Sequence, residues 1–352
     1  MRAVRFATSF TVIFTRVVTS PSTLTTQTLR ENLLGVKRLL SQKMVDEQKA
    51  NNLFLNVLKQ ESAKLAPSLD FKGNHKGASG KIAVVGGSFE YTGAPYFASI
   101  SALKTGADLV HVFCTHDAAI PIKCYSPELI VHPLLQLDKL EEITTWLQRM
   151  DVILIGCGLG RNTETLNLVK QIIGYVKQLK KPLILDADAL YLITEHPAIL
   201  HGFESDVILT PNRMELARLA GITNPAAIGD DDVVRMVKKN NWSKYITLLV
   251  KAANDQVYNA EKKVILTDLG GSGRRCGGQG DILGGCLAVF LNWSMKKEML
   301  ENRTFVAAFA ACRLTRECNQ RAYLEMGRSM MAGDMINQIH SAFNVYFEPP
   351  QI

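Results

Sequence analysis

From about Asn74 onward, hydrophobic residues come in short unbroken blocks separated by longer amphipathic stretches. The blocks at residues 81–87, 108–114, 129–132, 151–156, 182–186 and 206–210 predict strands. Between them, a segment with Pro95 in its first turn and Gly106 after its end predicts a helix, as do residues 141–149 and 163–178. Continuous apolar strands alternating with helices imply a mostly parallel sheet covered on both faces, an α/β fold. Residues 245–251, 256–259 and 263–267 predict short strands at the far edge of that sheet, and helices at 280–293, 304–318 and roughly 329–342 close the domain. Upstream, residues 33–66 are helical and polar, with Leu53, Phe54, Val57 and Leu58 at helical spacing. The organisation expected is a leading segment (1–30), a helical extension (31–66) and a single catalytic domain (67–352).

The 352 residues, 47% of them hydrophobic, are enough for one large α/β domain or two small ones, and the unbroken alternation favours one. A formal charge of +7 points to an anionic ligand. The basic residues are scattered and few lie among aromatics, which argues against nucleic acid. Seven cysteines form no C-x-x-C pair and read as reduced core residues of an intracellular protein. The histidines show no ligand spacing. Before Glu31 there are arginines at 2, 5, 16 and 30, many Ser and Thr and no acid, the composition of a mitochondrial transit peptide. A secretory signal would need a longer apolar run than Phe10 to Phe14, which Arg16 follows closely. A second start at Met44 would leave the domain intact and give a form in the cytoplasm. No other stretch approaches the ~20 apolar residues of a membrane span, so a soluble protein without membrane contact is expected.

Residues 270–285 carry the most chemistry. Six of the eleven residues from Gly270 to Gly280 are glycine, so backbone N–H groups can approach an anion closely. The apolar run after Asp281 predicts a buried helix whose positive end faces the same anion. A carboxylate beside a phosphate is repelled, unless it takes a proton from a hydroxyl attacking that phosphate. A flexible loop with Asp281 as an ordinary cap is the plainer reading, and the adjacent Arg274-Arg275 pair weighs against it.

Ligands of open parallel sheets bind beyond the carboxyl ends of the strands. Here those ends read Gly86-Gly87-Ser88, Gly156-Cys157-Gly158-Leu159-Gly160-Arg161, Asp186-Ala187-Asp188 and Thr210-Pro211-Asn212-Arg213-Met214-Glu215. The second is half of a dinucleotide fingerprint with Arg161 where a glycine is expected. Asp186 and Asp188, on an extended strand, would face one side and suit a hydrated Mg²⁺, while Asp188 equally suits a helix N-cap. Asn212 and Glu215 suit either metal-bound water or a capping box. Lys251 would face a phosphate, an acid or solvent.

In this order the motifs resemble the ribokinase-like fold, and within it the ATP-dependent NAD(P)H-hydrate dehydratase family, from about Leu53 to the end. The resemblance is carried by Val84-Val85-Gly86-Gly87, Tyr91-Thr92-Gly93-Ala94-Pro95-Tyr96-Phe97, Tyr125-Ser126-Pro127-Glu128-Leu129, Asp186-Ala187-Asp188, Thr210-Pro211-Asn212 and the run Arg274 to Asp281. It implies ATP-dependent dehydration of the S forms of NADH hydrate and NADPH hydrate, through phosphorylation of the ring hydroxyl and loss of phosphate, with ATP as co-substrate and Mg²⁺ as cofactor. Asp281 would be the base and would contact the substrate together with Gly160, Asn212, Arg213, Met214, Glu215, Leu216, Ala217 and Arg218. ATP would meet Lys251, Ala252, Ala253, Asn254 and Asp255, then Gly271, Ser272, Gly273, Arg274, Arg275, Cys276, Gly277, Gly278, Gln279 and Gly280. Asp186 and Glu215 would face the metal through water. A homo-oligomer is compatible with this reading. The chain departs from the family in Cys157, where proline is usual, and in Ala252, where glycine is usual. The alternatives are a kinase of a small vitamin-type alcohol with the same fold, a redox enzyme using NAD, and a non-catalytic nucleotide sensor.

Overall fold

The computed structural model describes residues 45–69 and 75–348. The leading segment and the first part of the helical extension lie outside them. The chain divides into two compact units at Leu53/Phe54. The described part of the first is helical, in a helix spanning 45–62. In the second, Phe54 packs against Phe305 with ring centroids 5.8 Å apart and the rings tilted by 55°.

Among the described residues nine strands form one sheet: β1 (Lys81–Val85), β2 (Leu109–Phe113), β3 (Ile130–His132), β4 (Val152–Ile155), β5 (Leu183–Leu185), β6 (Val207–Leu209), β7 (Ile246–Val250), β8 (Asp255–Tyr258) and β9 (Lys263–Leu266). Their order is β3-β2-β1-β4-β5-β6-β7-β8-β9. Every pairing from β3 to β7 is parallel, and β8 and β9 add an antiparallel edge. All nine predicted strands are present.

The unbroken apolar blocks have a simple cause. In β1, Ile82 and Val84 join the core on one face of the sheet while Ala83 and Val85 join the core on the other, so no position is left for a polar side chain. The order reverses between β1 and β4, where successive connections leave in opposite directions, the place where open parallel sheets bind ligands. Gly86 and Gly156 follow those strands, and each lies against main chain, of Cys157 and of Asp186.

The helix Gln279–Met295 is buried all round from Ile282 to Ser294, which is why its sequence shows no polar face. It crosses the helix Gly93–Thr105 so closely that a Cβ on Gly285 would fall 2.0 Å from the Ala98 carbonyl oxygen. The predicted helix at 304–318 is longer, Arg303–Met326, and the one at 329–342 is two, Ala332–Asn337 and Ile339–Tyr346. Helices His116–Tyr125 and Asp230–Lys239 were not foreseen; the first holds Pro121 in its interior, which argues against a helix locally. Among the described residues no helix is long and apolar enough to cross a membrane.

Because the crossing leaves no room for a methyl group, Gly285→Ala is expected to destabilise the fold by about 1–3 kcal/mol. Gly284→Ala, whose Cβ would meet Leu154 at 3.3 Å, should cost less. Urea midpoints of the two variants test the order.

Candidate active site

Three strand ends deliver charged groups to one place. β5 runs into Asp186, which caps the helix Ala187–Glu195 by accepting from its own neighbour's N–H, Ala187, at 2.9 Å. β7 runs into Lys251, held in line by its N–H to the Pro211 carbonyl at 2.8 Å. The Lys251 ammonium lies 2.7 Å from Asp186 and 3.8 Å from Glu215. Glu215 belongs to the capping box of the helix Arg213–Ala220, where it accepts from the Asn212 N–H at 2.7 Å. Lys251 therefore faces acids, one of its three predicted environments. Burial alone would depress this ammonium, but the two carboxylates outweigh burial and hold it above the ordinary lysine value. Burial likewise lifts Glu215, against the pull of Lys251.

Asp281 sits in the first turn of the helix Gln279–Met295. One oxygen of Asp281, one of Asp186 and the Cys157 sulfur all lie within 4.8 Å of one another. Burial, and then the neighbouring Asp186 charge, raise the Asp281 carboxyl to about 7, while the Cys157 thiol and Lys251 hold it back. That value suits a general base working near neutral pH. Burial pushes the Cys157 thiol well above its ordinary range, so it remains protonated beside the acid.

The Asp186–Asp188 pair is corrected. The two do not share one face of a strand, because β5 ends at Leu185 and Ala187 takes a left-handed φ of 46°. That turn sends Asp186 to Lys251 and Asp188 to the next loop, where it accepts the Gly160 N–H at 2.9 Å and pairs with Arg161 at 3.4 Å. Asp186, not Asp188, is the N-cap.

Beside Asp281 opens a cleft of about 470 Å³. Of the predicted ATP contacts it is lined by Lys251, Ala252, Ala253, Asp255, Gly271, Ser272, Arg275, Cys276, Gln279 and Gly280, and Asn212 joins them. Asn254, Gly273, Arg274, Gly277 and Gly278 do not line it. Gly278, at φ 90°, instead makes the turn into the helix, where a Cβ would meet Ala332 at 2.7 Å. Of the predicted substrate segment, Leu216 and Ala217 are buried in the core, Met214 is exposed, and the Arg213 guanidinium is spent on the carbonyls of Pro225, Ala226 and Ile228.

The far wall of the cleft comes from residues that sequence reasoning missed. On the helix Arg303–Met326, Arg316 donates to Asp255 at 2.7 Å, to the Ala252 carbonyl at 2.7 Å and to the Gly270 carbonyl at 3.4 Å. Asn319 accepts the Ser272 N–H at 2.6 Å, and Gln320 accepts the Gly271 N–H at 3.3 Å. One helix face thus fixes the 251–255 and 270–275 loops relative to each other. The signal for it was three polar residues at i, i+3 and i+4, which share a helix face.

A family model described as NAD(P)H-hydrate dehydratase matches residues 82–341. The chain is 46% identical over 293 residues to the ATP-dependent (S)-NAD(P)H-hydrate dehydratase of Aedes aegypti, covering 83% of this chain and 85% of that one. It is 43% identical over 281 residues to the human protein of the same name, covering 78% and 80%. The fold is shared with a ribokinase-like superfamily protein from Enterococcus faecalis, TM-score 0.68 at 21% identity over 84% of this chain and 95% of that one. It is shared too with the ADP/ATP-dependent NAD(P)H-hydrate dehydratase of Bacillus subtilis co-crystallised with ATP and Mg²⁺, TM-score 0.65 at 20% identity over 82% and 97%. With a half-buried carboxyl at a glycine-rich helix start, a cleft beside it, and these relatives along most of its length, the chain belongs to the NAD(P)H-hydrate dehydratase family.

Proposed function

We propose that this chain restores reduced nicotinamide nucleotides by dehydrating the S forms of NADH hydrate and NADPH hydrate at the expense of ATP. The observation that carries the reading is Asp281: a carboxyl raised to about 7, set between the cleft and the Gly156–Gly160 loop. ATP takes the cleft, with its phosphates toward the glycine turn and the positive end of the helix behind it. The hydrated ring takes the opposite side of Asp281, toward the Gly156–Gly160 loop. Asp281 removes the proton of the ring hydroxyl as that oxygen bonds to the γ-phosphorus and ADP leaves. In the second step the carbon–oxygen bond breaks, phosphate departs with the electron pair, and the adjacent ring carbon gives up a proton as the double bond forms.

The residues suit Mg²⁺ in one manner. Lys251 already stands between Asp186 and Glu215, so a metal would be held by the nucleotide phosphates, with the two carboxylates reaching it through its water shell. Bound there, it supplies charge neutralisation for the transferring phosphoryl group. The acid-free, arginine-bearing stretch before Glu31 supports delivery to the mitochondrion.

The direct test follows the near-ultraviolet absorbance of reduced nicotinamide when the protein meets S-NADH hydrate, Mg²⁺ and ATP. An ATP-dependent rise is expected, whereas a lasting phosphorylated product with no rise would turn the reading to a small-molecule kinase. Asp281→Asn should lower turnover by about 10²–10⁴-fold and leave ATP affinity, read by calorimetry, nearly unchanged. Since the base works as the carboxylate, kcat/KM should climb as pH rises through about 7 and level off above it. Arg316→Ala frees both nucleotide loops, so KM for ATP should rise about tenfold, the scale of one charged hydrogen bond, with a smaller change in KM for the hydrate.

A further inference from the structure

We infer that a small pocket between Arg161 and Arg218 receives the 2′-phosphate of NADPH hydrate and so favours that form over NADH hydrate. The inference rests on the dehydratase reading above. The pocket encloses about 70 Å³ between Arg161, Asp188, Tyr191, Thr194, Glu215 and Arg218, and shares no lining residue with the nucleotide cleft. It is a second place, reached past the Asp186-Ala187-Asp188 turn.

Arg161 is prepared for an anion. Its guanidinium lies over the Tyr191 ring at 4.6 Å and its Nε points to Asp188 at 3.4 Å, and neither terminal nitrogen has a hydrogen-bond partner among the described residues. Arg218 makes no hydrogen bond or salt bridge among the described residues. The two acids of the pocket each have a backbone or lysine partner besides the arginines, Asp188 also meeting Arg161 Nε and Glu215 also feeling the Arg218 charge. Asp188 accepts from the Gly160 N–H, and Glu215 accepts from the Asn212 N–H and lies 3.8 Å from Lys251. Two guanidinium groups therefore face the pocket with unspent donors, the arrangement that recognises phosphate.

The size decides which phosphate. A pocket this small takes a terminal group, whereas the pyrophosphate of a dinucleotide is flanked by a ribose on each side. The 2′-phosphate is a terminal monoester that carries close to two negative charges near neutral pH, and it is the one group that separates the two hydrates. The position fits as well: Arg161 follows Gly160, and Arg218 ends the segment that begins at Asn212.

The test measures kcat/KM for NADPH hydrate and for NADH hydrate with saturating ATP, for the unaltered protein, Arg161→Gln and Arg218→Gln. The unaltered protein should prefer NADPH hydrate, and each variant should lower that preference about tenfold. Adenosine 2′-monophosphate should compete with substrate better than adenosine 5′-monophosphate, and lose that advantage in Arg161→Gln. A preference that neither variant moves, or an equal loss for both hydrates, overturns the pocket's role while leaving the dehydratase reading standing. Failure of the unaltered protein to turn over either hydrate overturns the dehydratase reading itself.

Discussion

Three carboxylates and one ammonium meet at the carboxyl edge of the sheet, and this imbalance governs the site. Lys251 pairs with Asp186 directly and leans toward Glu215, so Asp281 has no ion-pair partner of its own. Burial and the neighbouring Asp186 charge therefore outweigh the Cys157 thiol and Lys251, and the Asp281 carboxyl keeps its proton up to near neutrality. Were Asp186 unpaired, two buried negative charges would stand beside each other, a costly arrangement. The ion pair makes a catalytic carboxyl tolerable there, and the parallel sheet makes the ion pair possible by ending β5 and β7 on the same edge.

The nucleotide cleft is built on a different principle. Its two loops come from the β7–β8 turn and from the glycine stretch, each with a few hydrogen bonds of its own. The long helix Arg303–Met326 joins them: one guanidinium reaches carbonyls on both loops, and one amide side chain receives both the N–H and the hydroxyl of Ser272. Rigid helix geometry thus reinforces the loops.

Much of this was legible in the sequence because the causes are local. Strands buried on both faces must be continuously apolar, and a glycine-rich turn before an apolar helix has few uses. Asp281, Gly160 and Lys251 were singled out this way, and Asp281 and Lys251 lie beside Asp186. What was missed depends on distance or direction. Arg316, Asn319 and Gln320 read as the polar end of a helix, and the predicted boundary at 318 fell short because a polar face turned inward toward loops looks the same as one turned to water. Asp186 and Asp188 were misread as a pair because the left-handed Ala187 between them leaves no mark in the sequence.

Gly86 and Gly87 meet Cys157 only through its main chain. A Cβ on Gly86 would stand 2.1 Å from the Cys157 carbonyl oxygen, and that oxygen accepts the Gly87 N–H at 3.0 Å. The turn therefore asks position 157 for an acceptor and makes no use of its side chain, a demand that proline and cysteine meet equally well. The scaffold and the chemistry are divided at this residue: the carbonyl keeps the β1 and β4 loops together while the side chain, buried in the core, meets Asp281. A chain that carries a thiol there can hold a weak proton donor against its base without any change in the turn that surrounds it.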